Sequence, residues 1–551
     1  MPHSERLRSA IARIDRRSYP AYRDLKGTWE IGELTILLDH VQGDPYASPS
    51  RLRVRTPTGI RPEQVPTGDH RMSAEDWLLR QFVGRLRSTK RGSGKSGQLR
   101  AYHPGPEVIE RSALRLLPDG TAEIRFQAGL PAQGRRVLGN EAWRLLTEDI
   151  PRAAAAVKNG PGLQEHIQSV CMQRHLREQL DTHQLIAFIA NGSRLPRESG
   201  VSQKPLPDAV PFQSPPGLEI SLDTPWGSVT GMGIPAGITL IVGGGFHGKS
   251  TLLHALQRGH MDHIPGDGRE QVVAHPHTVK IRAEDGRRVE RVNISPFLAT
   301  LPGGKQTEAF CTEDASGSTS QAANIIEAVE AGASTLLLDE DTSATNLLVR
   351  DARMRRLIPK ECEPITPLVE RIRQMYSNWG TSVVMVIGGV GDYLAIADQV
   401  ILMENYRPRE VTKQARALAD PAPKPPGPLS PIQPRVPLRA GLAPGKIRAR
   451  NEQRVGYGDQ EIELSAVEQI LDVAHAASIA EALRLLHELL IDDRRHLITI
   501  LDALDAILDD EGVEALAPRN YPPGDLIRPR RHEVAAALSR HRQLRVAQTE
   551  T

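Results

Sequence analysis

One stretch constrains the fold of this chain more than any other feature. It reads Gly243-Gly244-Gly245-Phe246-His247-Gly248-Lys249-Ser250-Thr251. The spacing fits the phosphate-binding loop G-x-x-x-x-G-K-[ST] at every position. An apolar run precedes the loop and a helical pattern follows it. That context suits the motif, because backbone N–H groups wrap the phosphates and the helix N-terminus faces the anion. The stretch predicts a nucleotide site between a buried strand, 238–242, and a helix.

The motif also assigns roles to its last residues. We expect Lys249 to reach the β- and γ-phosphates of ATP and Ser250 to bind Mg²⁺. The alternative is a glycine-rich turn that matches by chance, and the flanking strand and helix both count against it.

A second Gly-Lys-Ser lies in the segment 91–97. Its spacing fails, because Thr89 stands where the first glycine is required, and no apolar strand precedes it. We interpret it as a basic, flexible loop that contacts nucleic-acid phosphates. Its candidate residues are Lys90, Arg91, Lys95 and Arg100. A solvated loop without a ligand is the alternative.

A pair of carboxylates follows a second apolar run. Leu336, Leu337 and Leu338 lead directly into Asp339 and Glu340. At the end of a strand, Asp339 would hold Mg²⁺ and Glu340 would polarise the attacking water. An acidic helix cap after a core strand is the alternative.

A small polar loop precedes the helical pattern 322–331. It contains Ser316, Gly317 and Ser318, and a loop of this kind at a helix N-terminus can bind a second part of the phosphate chain. The alternative is a serine-rich turn that only caps the helix.

Together these motifs resemble ABC ATPases. The run 339–346 is similar to their Asp-Glu-Pro-Thr-Ser-Ala-Leu-Asp segment, and the loop 315–321 stands where they carry Leu-Ser-Gly-Gly-Gln. The resemblance implies that this loop caps the γ-phosphate held by a partner protomer, and therefore a homodimer or higher homo-oligomer. The chain departs from the pattern at two points. Glycines replace the switch histidine, with Asp392 as a possible substitute, and only Asn293 stands near the expected Q-loop glutamine.

The resemblance extends over almost the whole chain to the predicted, stand-alone ATPases of the ABC class. The segments that carry it outside the core are 42–51, 91–94, 129–135 and 528–538, and the segments 265–270 and 282–287 carry it within the core. It implies an ATP-binding core between family-specific terminal regions. It does not identify the aromatic residue that stacks on adenine, for which Phe212 and Trp226 are candidates by position.

We therefore expect an α/β fold in which a P-loop core of the ABC-ATPase type is flanked by an α+β N-terminal domain and a mostly helical C-terminal domain. Nine prolines between Pro421 and Pro444 indicate an extended linker or a strap on a surface. The predicted domains are 1–205, the core 206–415, the linker 416–454 and 455–551. Helical spacing also predicts one helix over 163–189.

Composition excludes several classes of protein. Of 551 residues, 69 are Lys or Arg and 67 are Asp or Glu, giving a net charge of +2, which excludes a polycation or an acidic tail protein. Aromatic residues make up 4%, which disfavours recognition of nucleic acid by stacking alone. Three cysteines indicate a reducing compartment. No apolar run reaches the length of a membrane span, so we expect a soluble, cytoplasmic protein.

The sequence favours a soluble ATPase that couples hydrolysis of Mg-ATP to movement of its flanking domains. Single-stranded RNA is the partner that its basic segments, 85–100 and 528–545, would suit. A nucleotide-gated scaffold with little or no turnover is the alternative, because the switch histidine is missing. A phosphotransferase with an acceptor other than water is the least favoured.

Overall fold

A computed structural model describes residues 2–299, 306–350, 357, 363–517 and 522–548. The chain divides into two compact units. The first comprises Met1–Cys171 and Glu511–Arg528, and the second comprises Met172–Asp510 and Pro529–Thr551. The predicted boundaries at 205, 415 and 454 remain predictions.

The first unit combines helices with an antiparallel sheet. Its strands β1–β9 are Gly27–Ile31, Leu34–His40, Ser50–Pro57, Leu99–Arg100, Glu107–Val108, Leu114–Leu116, Thr121–Ala128, Ala132–Gln133 and Arg136–Val137. Helices α1–α5 are Pro2–Ile14, Gly68–Arg85, Gly139–Arg144, Ile150–Ala154 and Leu163–Thr182, of which the last continues into the second unit. The sheet has the order β1-β2-β3-β7-β4, and β6 also pairs with β7.

The period of two in β3 explains how this sheet covers a core. Along Ser50–Pro57, buried residues alternate with half-buried ones, so Leu52 and Val54 face inward while the arginines between them reach solvent. Helix α2 begins at a conventional cap, where the Thr67 hydroxyl accepts a hydrogen bond from the His70 amide.

The second unit contains the phosphate loop. Strands β10–β18 are Leu185–Ala190, Glu219–Thr224, Gly227–Pro235, Ile238–Val242, Asp262–His263, Val272–Ala274, Thr278–Lys280, Arg287–Val292 and Phe310–Ala315. Strands β19–β27 are Thr335–Asp339, Ser382–Ile387, Gln399–Glu404, Arg407–Glu410, Arg435–Leu438, Ile447–Asn451, Arg454–Tyr457, Gln460–Glu463 and Arg545–Gln548. Helices α6–α13 are Lys249–Arg258, Gly317–Glu330, Thr345–Leu348, Leu368–Trp379, Thr412–Leu418, Val473–Leu485, Leu497–Glu511 and Arg531–Arg540.

A six-stranded sheet forms the centre of this unit. Its order is β16-β19-β20-β13-β21-β22, and all neighbours are parallel except β21 and β22. The inner strands are buried on both faces, which explains their continuous apolar sequences. Alternate residues serve different cores. Leu240 packs in the cluster that contains residues of α7 and α9, whereas Ile241 packs in the cluster that contains residues of α6.

Two further sheets of the described second unit have three or four strands. One has the order β11-β12-β10-β15, and the other, β24-β25-β26, precedes the C-terminal helices. The described C-terminal region therefore adds three short antiparallel strands to the helices that the sequence predicted.

The single helix predicted over 163–189 is wrong at its C-terminal end. Helix α5 ends at Thr182, Gln184 adopts a positive φ of 56°, and the chain returns as strand β10. All six residues of β10 are buried between two neighbouring strands. A short, fully apolar run does not distinguish a buried helix from a buried strand, and here pairing within the sheet decides it.

The proline-rich segment lies along helix α9. The carbonyl of Gly427 accepts hydrogen bonds from Arg371 and Gln374, and the Trp379 indole donates to the carbonyl of Ser430. Farther along, β23 pairs with β27 near the C-terminus. Of the two predicted possibilities, these contacts match a strap on a surface.

Candidate functional site

The phosphate loop connects the end of β13 to the start of α6. Three of its residues have positive φ: Gly243 at 142°, Phe246 at 63° and Gly248 at 96°. A side chain at Gly243 would lie 2.4 Å from the carbonyl oxygen of Met403, so this glycine is required for packing against β21. Gly244, Gly245 and Phe246 are exposed, which leaves the loop accessible to a ligand.

Lys249 lies folded over the loop. Its Nζ donates hydrogen bonds to the carbonyls of Gly243 and Gly244, each at 2.7 Å. This places a cation in the loop at the N-terminus of α6, where the helix dipole also favours an anion. Ser250 is exposed and Thr251 half-buried in the first turn of the same helix.

The turn between β21 and β22 holds the loop from one side. The Asn405 amide donates to His247 Nδ1 at 2.9 Å, and the Tyr406 amide donates to the carbonyl of His247 at 3.0 Å. The Tyr406 ring packs against Gly248, where a Cβ would come within 2.7 Å of it. Neither residue of this turn carries a motif, which is why the sequence did not single them out.

The two carboxylates lie at the same edge of the sheet as the loop. Asp339 is the last residue of β19, is 9% exposed, and accepts a hydrogen bond from the Asp341 amide at 3.3 Å. Nearby, burial lowers the pKa of the Lys280 ammonium, and the carboxylates of Glu468 and Asp339 oppose that shift. The Lys280 ammonium is therefore buried and interacts electrostatically with Asp339.

Glu340 contacts the loop that follows β20. Its Oε2 accepts hydrogen bonds from the amides of Gly388 at 2.6 Å and Gly389 at 3.0 Å. Because β20 lies between β19 and β13, the carboxyl ends of these parallel strands bring the glycine pair, the two carboxylates and the phosphate loop to one edge.

The loop at 316–318 opens helix α7 as predicted from its small polar residues. Ser316 has an extended N-cap conformation, its hydroxyl lies 2.9 Å from that of Thr319, and Gly317 is the first helical residue. Ser318 is 9% exposed. Among the described residues, no hydrogen bond joins this loop to the phosphate loop of the same chain.

Gln321 joins α7 to the residues that follow Asp339 and Glu340. It is fully buried, its Nε2 donates to the Ser343 hydroxyl at 2.9 Å, and its Oε1 accepts from the Ala344 amide at 2.8 Å. The start of α7 and the turn after Glu340 are thus held together by one side chain.

Several residues considered from the sequence have surroundings that the structure now describes. Asp392 is exposed in a short turn after the glycine pair, and Asn293 Oδ1 accepts hydrogen bonds from Ser295. Phe212 is 2% exposed and belongs to a core cluster, whereas Trp226 is 39% exposed beside the turn between β11 and β12. Buried in a core, Phe212 has no open face for adenine.

The predicted nucleic-acid contacts are unequally available. Lys90 and Arg100 are exposed and Lys95 is half-buried. Arg91 pairs with Glu141 at 2.5 Å and Asp149 at 2.7 Å, and its side chain is 11% exposed. Arg91 is therefore committed to contacts within the first unit.

The basic C-terminal segment is mostly neutralised. Arg530 pairs with Glu533, Arg531 with Asp502 and Asp505, and Arg540 with Glu284. Within the second unit, Arg287 and Arg435 also form buried pairs with Glu327 and Glu330 of helix α7. These arginines hold helices together, whereas Arg542 and Arg545 of the same segment are exposed.

The residues at the sheet edge suit a magnesium ion bound together with a phosphate. Mg²⁺ typically takes one or two protein oxygens plus phosphate oxygens and water. The Ser250 hydroxyl and the Asp339 carboxylate are donors of that kind. Among the described residues, no group of three or more His, Cys, Asp or Glu forms a metal cage.

None of the helices within the described ranges combines the length and apolar character needed to traverse a lipid bilayer.

Comparison with known proteins supports the core and both terminal regions. The P-loop domain model of the ABC_ATPase family matches residues 159–427, and the model for the N-terminal domain of ATPases of the ABC class matches residues 4–160. The model for the MRB1590 C-terminal domain matches residues 446–547.

One curated relative is an uncharacterised protein of Methanocaldococcus jannaschii. It is 31% identical over 254 residues, which cover 44% of this chain and 55% of that protein. The chain thus spans about half the length of the curated relative it matches.

Two solved structures are similar to part of the chain. One is cbiO1 from Clostridium perfringens, part of an ABC transporter complex, with 13% identity, coverage of 43% of this chain and 92% of that one, and a TM-score of 0.25. The other is an ATP-binding cassette of an ABC transporter in its ADP conformation, with 11% identity, coverage of 34% and 86%, and a TM-score of 0.23.

Proposed function

The chain belongs to the family of ABC-class ATPases, and on that basis we propose that it binds and hydrolyses Mg-ATP at the edge of its central sheet. The observation that carries the proposal is the meeting of three features at that edge. These are an exposed phosphate loop with its lysine, a buried carboxylate at Asp339 and a held carboxylate at Glu340.

The residues divide the chemistry among them. The exposed amides of the phosphate loop and the N-terminus of α6 bind the phosphates, and Lys249 leaves its carbonyl partners to neutralise the β- and γ-phosphates. Ser250 and Asp339 hold Mg²⁺, which when bound offsets charge on the transferring phosphate. Glu340 accepts a proton from the attacking water.

We further propose that two copies of the chain enclose the nucleotide. Ser316, Gly317 and Ser318 form a helix N-terminus that has no hydrogen bond to its own phosphate loop among the described residues. A second copy would bring that N-terminus to the γ-phosphate, and hydrolysis would release it and move the flanking domains. The mass of a Glu340→Gln variant, measured by light scattering, should double when Mg-ATP is added and stay unchanged when Mg-ADP is added.

Single-stranded RNA is the proposed partner of the exposed residues Lys90 and Arg100 and the half-buried Lys95, in a protein that we expect to act in the cytoplasm. Phosphate contacts by cations make affinity fall steeply with salt. Fluorescence anisotropy with a labelled single-stranded RNA should show such a fall, and the triple substitution of these residues by Ala should weaken binding. Absence of binding at low salt would remove RNA from the proposal.

A nucleotide-gated scaffold is the second candidate, and the absence of a switch histidine favours it. Such a protein would bind ATP and dimerise without releasing phosphate. A scaffold has no use for a carboxylate held beside the phosphate loop, and the contact of Glu340 with Gly388 and Gly389 therefore favours turnover.

A further inference from the structure

The carboxylate of Glu340 is held by backbone rather than by a side chain. The amides of Gly388 and Gly389 both donate to the same oxygen, Oε2, at 2.6 and 3.0 Å. Two donors from consecutive residues fix the position of that oxygen, which limits the rotation of the side chain. The other oxygen, Oε1, is not engaged by either amide.

The loop that supplies these amides is itself anchored at both ends. It begins directly after β20, whose residues are all buried in the central sheet. It ends at Tyr393, which is fully buried and donates from its hydroxyl to the carbonyl of Leu348 at 2.6 Å. Glu340 and Leu348 both lie in the stretch of chain that follows β19. The loop after β20 therefore contacts that stretch at two places.

The two glycines leave room for the contact. A Cβ at Gly388 would lie 3.8 Å from Oε2, and a Cβ at Gly389 would lie 3.5 Å from Oε1, both ordinary contact distances. The role therefore depends on the N–H groups and not on the absence of side chains. An alanine keeps the donor, whereas a proline removes it.

We propose that the amides of Gly388 and Gly389 are a positioning element for hydrolysis and act through Glu340. This inference rests on the proposed ATPase function. With Oε2 held, Oε1 accepts a proton from water as the water oxygen bonds to the γ-phosphorus and the bond to the ADP oxygen breaks. The products are ADP and phosphate, and Glu340 later returns its proton to solvent. The two amides that hold Glu340 belong to the glycines that stand in place of the switch histidine.

A double-mutant cycle tests the proposal. Gly388→Pro removes the shorter of the two hydrogen bonds, and the preceding Ile387 has the strand conformation that a following proline permits. Single-turnover phosphate release by full-length Gly388→Pro should fall about tenfold, because one charge-assisted hydrogen bond is lost. The affinity for ATP should stay within about twofold, and Gly388→Ala, which keeps the N–H donor, should slow phosphate release less than Gly388→Pro does.

The second arm places Gly388→Pro in a Glu340→Gln background. If the amides act through Glu340, the proline costs no more than about twofold there, because the base they position is gone. An equal loss in both backgrounds, or no loss in either, overturns the proposal. If Glu340→Gln hydrolyses ATP at the unsubstituted rate, the proposed role of Glu340 fails and the positioning role fails with it.

Amide hydrogen exchange provides a measurement that needs no proline. Mass spectrometry of a peptide containing Gly388 and Gly389 should show protection that is lost in Glu340→Ala. Equal exchange in both proteins would contradict the contact itself. Gly389→Pro, tested in the same cycle, serves where Gly388→Pro does not fold.

Discussion

The chain carries the tripeptide Gly-Lys-Ser twice, in surroundings that differ in almost every physical respect. At 248–250 it joins a buried parallel strand to a helix, and its serine is exposed. At 94–96 no long strand or helix flanks it, and Ser96 is 2% exposed with its hydroxyl donating to the carbonyl of Ser93. The same tripeptide is therefore accessible in one unit and packed against neighbouring backbone in the other.

The difference lies in which polar groups remain available. In the first unit, the Lys95 amide donates to the carbonyl of Pro45, and the Ser96 hydroxyl accepts from the Ala132 amide. In the second unit, the exposed part of the phosphate loop and the N-terminus of α6 keep donors that no helix partner can satisfy. A motif of this kind binds a ligand only where the fold leaves such donors unused.

The largest expected effect concerns ATP affinity. Lys249→Ala should weaken ATP binding about 100-fold, because its charge and hydrogen bonds to two phosphates are lost. Lys95→Ala is the matched control in the other Gly-Lys-Ser segment and should change the affinity less than twofold. Isothermal titration with ATP in the presence of Mg²⁺ measures both. Similar losses in the two variants would break the comparison.

The next effect concerns stability. Gly97→Ala should lower the free energy of unfolding by about 3 kcal/mol or more, because φ is +80° and the new Cβ would lie 1.9 Å from the carbonyl oxygen of Thr89. Gly245→Ala in the phosphate loop meets no atom within 4 Å and should cost no more than about 0.5 kcal/mol. Urea unfolding followed by circular dichroism compares the two variants. An unchanged free energy of unfolding for Gly97→Ala would show that the chain around Gly97 is loosely packed.

Arg91 tests whether the basic segment is structural. Arg91→Ala should destabilise the protein by about 2 kcal/mol, because Asp149, whose side chain is 7% exposed, loses the closer of its two arginine partners and keeps only Arg152 at 3.8 Å. Lys90→Ala, at an exposed neighbour, should change stability by less than about 0.5 kcal/mol and should weaken RNA binding instead. The reverse pattern would place Arg91 on the RNA.

The last effect is a pH dependence of opposite sign in the two units. Burial raises the pKa of Glu75 to about 7, so the first unit loses stability as pH rises from about 4.5 to 7, where the folded state alone keeps the proton. Burial lowers the pKa of His541 to about 4, so the second unit loses stability as pH falls from about 6.5 to 4. Each contribution is on the order of 2 kcal/mol.

Hydrogen exchange resolves the two units separately. Protection in peptides from helix α2 should decline with rising pH, and protection in peptides from helix α13 should decline with falling pH. Glu75→Gln and His541→Gln should each flatten the profile of their own unit alone. Parallel profiles in the two units would contradict these shifts.

The sequence predicted the elements that local pattern determines. The spacing of the phosphate loop, with an apolar run before it and a helical pattern after it, predicted β13, the loop and α6. A second apolar run, which ends in Asp339, predicted β19. These predictions succeed because the inner strands are buried on both faces, which leaves an unambiguous apolar signature.

Other features depend on partners that are remote in the sequence. Arg540 pairs with Glu284 across 256 residues, so this arginine of the basic run packs a helix. The strand at β10 lay inside a predicted helix, because only its pairing with two other strands distinguishes it. The contact of Glu340 with Gly388 and Gly389 uses backbone donors, which every residue but proline carries and no side-chain motif reveals.

The central claim is that this sheet edge hydrolyses ATP, and release of inorganic phosphate tests it most directly. The full-length protein would be incubated with Mg-ATP, with and without single-stranded RNA, beside Lys249→Ala and Glu340→Gln. The account predicts release by the unsubstituted protein and a fall to a slow residual rate in both variants, with ATP retained by Glu340→Gln. Tight binding of ATP with no phosphate release in any condition would contradict the account and favour the nucleotide-gated scaffold.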